Sequence, residues 1–199
     1  NYKGAKLDGT KPGDVIWVDR DHNGVIDDGD QGMIGDPNPD YNLGLSLTAS
    51  YKGFDISMTM NGVFGNQIMK SYRSYVDYTR QNYTSDIFGR WHGEGTSNKY
   101  PILSNQRPDN MRASDFFVEN GSYLRLRTLQ LGYTFPREWM QRIYLNKLRV
   151  YVNAQNLFTL SAFNGWTPEV GGSPLRSGVD DGALYPIPAA VTFGLNVTF

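Results

Sequence analysis

From Tyr41 to Tyr51 apolar and polar residues alternate without a break. The odd positions are Tyr41, Leu43, Leu45, Leu47, Ala49 and Tyr51, and the even ones Asn42, Gly44, Ser46, Thr48 and Ser50. A period of two belongs to an extended strand, because no helix can gather such a set on one side. After Lys52-Gly53 the alternation resumes, with Phe54, Ile56, Met58 and Met60 set against Asp55, Ser57, Thr59 and Asn61. Two alternating runs joined by two turn residues predict a tight hairpin with one apolar and one polar face. The pattern returns at Leu148, Val150, Val152 and Ala154, and again at Val191, Phe193, Leu195, Val197 and Phe199. Between Gly121 and Phe135 the apolar phase changes, from even at Leu124 and Leu126 to odd at Leu129, Leu131, Tyr133 and Phe135. A bulge near Arg127-Thr128 is the simplest cause, since one extra residue flips every later side chain. The expected strands are therefore 41–51, 54–64, 121–135, 147–159 and 186–199.

Alternation alone also fits one sheet of a water-soluble sandwich. Three features favour a membrane barrel: the strands are long, tyrosine and phenylalanine stand at their ends, and the polar faces are small and mostly uncharged. Link lengths add a fourth. Lys52-Gly53 and Pro136–Asn146 are short, whereas 65–120 and 161–185 are long and polar. In outer-membrane barrels short turns face the periplasm and long loops the exterior, which would place the 1–40 region outside and Phe199 in the periplasm. Mean hydropathy is −0.49 and no apolar run reaches the roughly 18 residues of a membrane helix. Barrel strands need only about 9 to 11 residues with one greasy face, so this does not count against them. Five strands of this kind cannot close such a barrel, and the absence of an initiator Met reads as a fragment or processed product. The remainder of the barrel is thus an expected partner, together with outer-membrane lipid.

The acidic stretch DRDHNGVIDDGD, Asp19 to Asp30, spaces its oxygens as an EF-hand-type loop does. Asp19, Asp21 and Asn23 occupy positions one, three and five, Gly24 makes the turn, Val25 offers a backbone carbonyl, and Asp27 and Asp30 follow at nine and twelve. Alternating ligands with outward spacers lets six or more oxygens converge on a hard cation, so a structural Ca²⁺ is the expected cofactor. The loop departs from that pattern in ending on Asp, shorter than the usual Glu, and in lacking flanking amphipathic helices. An acidic surface turn without metal is the alternative.

Other chemistry is largely excluded. The net charge of −1 gives no basic stripe for nucleic acid. No cysteine is present, and the two histidines, His22 and His92, support neither a triad nor a histidine metal site. Acidic pairs such as Asp180-Asp181 can be nominated for glycoside hydrolysis, but nothing aims them at one point, so no enzyme is expected.

The order DRDHNGVIDDGDQGMIGDPNPDYNLGLSLTASYKGFDISM, ENGSYLRLRTLQLGYTFP, LRVYVNAQNLFTL, WTPEV and YPIPAAVTFGLNVTF resembles the C-terminal barrel portion of a SusC/RagA-type TonB-linked outer-membrane transporter. That resemblance implies an all-β antiparallel meander within a barrel of about 22 strands closed by an N-terminal plug. It further implies import of oligosaccharides or peptides with a SusD-like surface lipoprotein, energised through TonB, and a structural cation in the acidic loop. The plug and the TonB-contacting segment lie outside these residues. Phe199, ending an alternating strand, resembles the signal read by the barrel-assembly machinery. Flat aromatic rings suit carbohydrate, so Trp91, Tyr100 and Trp166 are the candidate substrate contacts, and 65–120 is the candidate lipoprotein-facing loop. The competing reading is a secreted, calcium-stabilised soluble β-domain that binds glycans. It requires the apolar strand faces to pack on one another.

Overall fold

The computed structural model describes residues 2–71, 83, 85–104, 106–171 and 176–199. Eleven strands occur among them: β1 (Tyr41–Tyr51), β2 (Phe54–Phe64), β3 (Gln67–Lys70), β4 (Arg90–Trp91), β5 (Tyr100–Ile102), β6 (Val118–Asn120), β7 (Tyr123–Thr134), β8 (Lys147–Gln155), β9 (Thr159–Ser161), β10 (Val179–Asp180) and β11 (Ala190–Thr198). The one α-helix among the described residues, α1, is the short Arg137–Gln141. The main sheet runs β1-β2-β7-β8-β11, with β9 also paired to β7. Every pair in it is antiparallel. The fold is an all-β antiparallel meander, and the sheet is open, ending on β1 and β11. No described helix is long and apolar enough to cross a membrane, which says nothing about a β-barrel.

The hairpin follows from its turn. Lys52 (φ 47°) and Gly53 (φ 89°) both adopt positive φ, the type I′ geometry whose twist matches the flanking strands. Register then aligns the apolar residues across the whole sheet. Tyr51 pairs with Phe54, Phe54 with Tyr133, Tyr133 with Val150 and Val150 with Leu195. One row further on, Ala49, Ile56, Leu131, Val152 and Phe193 lie side by side. Among the described residues no second layer covers this face. Leu43, Leu45 and Leu47 are about half exposed, and Phe193 is 80% exposed. The soluble alternative, which needed these side chains packed against one another, lacks that packing.

The phase change in β7 is a register shift. Thr59 pairs with Thr128 and Met60 with Leu126, so Arg127 has no opposite number on β2. On the other side the Asn156 N–H donates to the Arg127 carbonyl (3.0 Å), and Leu126 N–H to Phe158 O (3.1 Å). Asn156 is left-handed (φ 49°), and there the expected 147–159 strand breaks into β8 and β9. The last strand starts at Ala190 rather than 186, because Pro186 and Pro188 have no N–H for a ladder.

The chain divides into two compact units, 1–35 with 70–118, and 36–69 with 119–199. The first of these units joins the N-terminal region to the long loop. In that unit Asp14 accepts from Arg107 (2.8 Å) and Asn110 (3.1 Å), while Asn110 Oδ1 accepts from Val15 N–H (2.9 Å). The Asn110 side chain here satisfies a backbone N–H that a sheet would otherwise pair.

Candidate functional site: a sheet with two faces and an acidic loop

The polar face of the main sheet carries organised charge. At the short-turn end Arg149 makes a bidentate pair with Asp55, through Nε (2.9 Å) and Nη2 (2.5 Å). The pair spans Gly132 of the intervening strand, where a Cβ would lie 2.5 Å from both partners. Glycine is needed there for clearance. The Arg149 guanidinium also stands 5.0 Å from the Tyr151 ring centroid.

At the long-loop end Glu169, from the WTPEV stretch, gathers two hydrogen-bond donors and a further ion-pair partner. Its Oε1 accepts from Arg127 Nη2 (2.6 Å) and the Tyr123 hydroxyl (3.0 Å), and its Oε2 lies 2.9 Å from Arg125 Nη1. Arg125, only 3% exposed, donates further to Thr159 (2.8 Å) and Thr167 (3.3 Å), and Arg127 Nε donates to Asn61 (2.7 Å). Arg125 and Arg127, two residues apart and alternating with Leu124 and Leu126, share the polar face by the ordinary period of a strand. The register shift that follows returns Leu129 and Leu131 to the apolar side. Sequence reading located the bulge but missed this cluster, and Glu169 carried no signal beyond its place in a loop.

In the acidic loop, Asp19, Asp21 and Asp30 bring one carboxylate oxygen each to within 4.8 Å of one another. Gly24 (φ 86°) makes the turn and donates to Asp19 Oδ2 (2.9 Å). Asp19 Oδ1 is buried without a hydrogen-bond partner. The Asp27 and Arg20 N–H groups donate to Asp30 (2.9 and 2.6 Å) and lower its carboxyl below the ordinary value. Asn23 Oδ1 accepts from Val25 N–H (2.7 Å), and Asp27 Oδ1 from Gly29 N–H (2.7 Å). Three of the six expected ligand residues therefore converge. Asn23 and Asp27 close local turns, and Val25 is exposed. Three converging carboxylates with one orphaned oxygen are a donor set that fits a hard divalent cation.

The aromatic candidates separate. Trp91 packs against Gly13, with ring atoms 2.4 to 2.9 Å from where a Cβ would be. The Tyr100 hydroxyl donates to Asp86 (3.2 Å), and its ring meets Phe116 edge-on. Both rings are used within the loop unit. Trp166, which precedes Thr167 in sequence, is the most exposed of the three, at 67%. Phe199, just past β11, is 85% exposed.

No protein-family model matches the chain. It is 32% identical to TonB-dependent receptor P3 of Formosa agariphila over 98% of this chain and 20% of that protein. It is 34% identical to TonB-dependent receptor SusC of Bacteroides thetaiotaomicron over 95% of this chain and 18% of that protein. Among solved structures it is similar to the RagAB peptide importer. The closed-closed state gives a TM-score of 0.65 at 25% identity, covering 82% of this chain and 18% of that one. The open-open state gives 0.65 at 24% identity, covering 81% and 17%. The chain spans about a fifth of the length of the curated relatives it matches. Those relatives are receptors and an importer, not enzymes. Shared sequence over nearly its full length, and a fold matched at a TM-score of 0.65, make this chain similar to a segment of the SusC/RagA-type TonB-linked outer-membrane receptors.

Proposed function

We propose that this segment forms part of the wall of a TonB-dependent outer-membrane importer, its apolar face against lipid and its polar face lining the solute passage. The carrying observation is the uncovered apolar band running across all five strands while charged pairs occupy only the opposite face. Its free edges on β1 and β11 continue into the rest of the barrel, because unpaired N–H and C=O groups in lipid cost several kcal/mol each. The short-turn end, with Phe199, faces the periplasm, where Phe199 serves as the assembly signal. The long-loop end faces outward.

The cargo class is oligosaccharide or peptide, delivered with a SusD-like surface lipoprotein; one relative is named SusC and the structural neighbours are titled a peptide importer. Energy comes from TonB through parts of the protein beyond this segment. Asp19, Asp21 and Asp30 hold a structural Ca²⁺ that fastens the 19–30 loop, with Asn23, Val25 and Asp27 as the positions that complete its shell. The converging carboxylates and the orphaned Asp19 oxygen support this.

Spin labels on single cysteines in the full-length protein test the facing. Leu45→Cys, Leu47→Cys and Leu195→Cys should respond to lipid-dissolved oxygen, and Ser46→Cys, Thr48→Cys and Asn196→Cys to a water-soluble nickel chelate. Loss of that alternation overturns the reading. Purification of the same protein from outer membranes, with identification of the associated lipoprotein and any bound ligand, tests the partner and cargo.

A further inference from the structure

The apolar face is not uniform. At the short-turn end a concave site of about 560 Å³ has Ala49, Ile56, Leu131 and Val152 on its floor and the rings of Tyr51, Phe54, Tyr133 and Phe193 around it. Phe54 and Tyr133 pack in a tilted contact (44°) with centroids 4.5 Å apart, which stiffens one wall. The space exists because Ala49 is the smallest residue in its row.

One cation borders this groove and two more lie in the adjoining link. The Lys52 ammonium stands 5.2 Å from the centroid of Tyr51, itself a groove wall. Gly53 O accepts from Thr134 N–H (2.7 Å), which brings the turn beside the end of β7, and α1 begins three residues later at Arg137. Arg137 and Arg142 are both exposed. The 136–146 link contains a single acid, Glu138, and exposes Trp139, Ile143 and Tyr144, side chains suited to the depth of lipid headgroups. An apolar trough with Lys52 at its rim and Arg137 and Arg142 exposed in the adjoining link matches one ligand chemistry, a long acyl chain ending in an anionic phosphate ester.

We propose that this groove is a binding site for an anionic phospholipid, with an acyl chain along Ala49 and Leu131 and the phosphate on Lys52, Arg137 and Arg142. The proposal rests on the lipid-facing reading of the apolar face. Uncharged interfacial lipid would gain the trough but not the cations, so selectivity for negative charge is the distinguishing property.

Native mass spectrometry of the full-length protein, with phosphatidylglycerol or phosphatidylethanolamine added in detergent, reads this directly. One phosphatidylglycerol should be retained in preference to phosphatidylethanolamine. Lys52→Gln, Arg137→Gln and Arg142→Gln should each lower that retention about fivefold, the change that about 1 kcal/mol per charge represents. Ala49→Trp, which fills the trough with a side chain at home on this face, should abolish it, whereas Leu45→Trp, outside the groove, should not. Equal retention of both lipids by the unmodified protein overturns the site, as does unchanged retention after Ala49→Trp. If the spin labels alternate as expected and selectivity is absent, the groove proposal alone fails. If they do not alternate, the lipid-facing reading fails first.

Discussion

Replacing Glu169 with glutamine removes one of the two acceptor oxygens that hold Arg125, Arg127 and Tyr123, and turns an N–H₂ towards guanidinium donors. Arg125 is the decisive partner, because it is 3% exposed and cannot recover its lost acceptor from water. Breaking one side of a buried ion pair costs about 3 to 5 kcal/mol, whereas the Arg127 side chain, 40% exposed, adds at most about 1. Arg125 keeps its bonds to Thr159 and Thr167, so the lower end, about 3 kcal/mol, is the expected loss. The cost falls on docking of the 162–171 stretch, since Glu169 is that stretch's ionic tie to β7. Hydrogen exchange of the full-length protein should show amides of 166–171 opening about a hundredfold more often, while the β7–β8 ladder keeps its protection. In an Arg125→Met background the same Glu169→Gln change should cost much less, because the buried charge is already gone. Unchanged exchange in Glu169→Gln, or the same loss in both backgrounds, would refute the assignment of Glu169 as the tie.

Leu45→Arg should destabilise the intact barrel by about 2 to 4 kcal/mol in a lipid refolding titration, and Ser46→Arg by far less, since only the former puts a cation at mid-membrane depth on the apolar face. Gly132→Val should separate Asp55 from Arg149 by filling the saddle between them. The expected loss is about 1 to 3 kcal/mol in the same assay, and Gly44→Val, where nothing lies within 4 Å, is the matched control. Chelating divalent cations, or Asp19→Ala, should speed proteolysis within 19–30, and added Ca²⁺ should reverse the effect of chelation but not that of Asp19→Ala.

The facing of every long strand could be read from the order of residues, because a period of two ties side to position and admits no other phase. Tyr41–Tyr51 and Phe54–Phe64 appear as the alternation places them, and the irregularity opposite Thr59 and Met60 is where the apolar phase changes. Asp19, Asp21 and Asp30, spaced within one turn-forming loop, have one carboxylate oxygen each within 4.8 Å of one another. Tertiary structure alone decided which distant groups meet. Glu169 reaches residues more than forty positions away, and Asp55 pairs with Arg149 across ninety-four. Neither meeting leaves a local period, because both depend on strand register and on the clearance above Gly132. The groove at Ala49 is of the same kind: one small side chain becomes a cavity only when four neighbouring strands set larger ones around it. Local alternation chooses a side, and packing between strands chooses the partners.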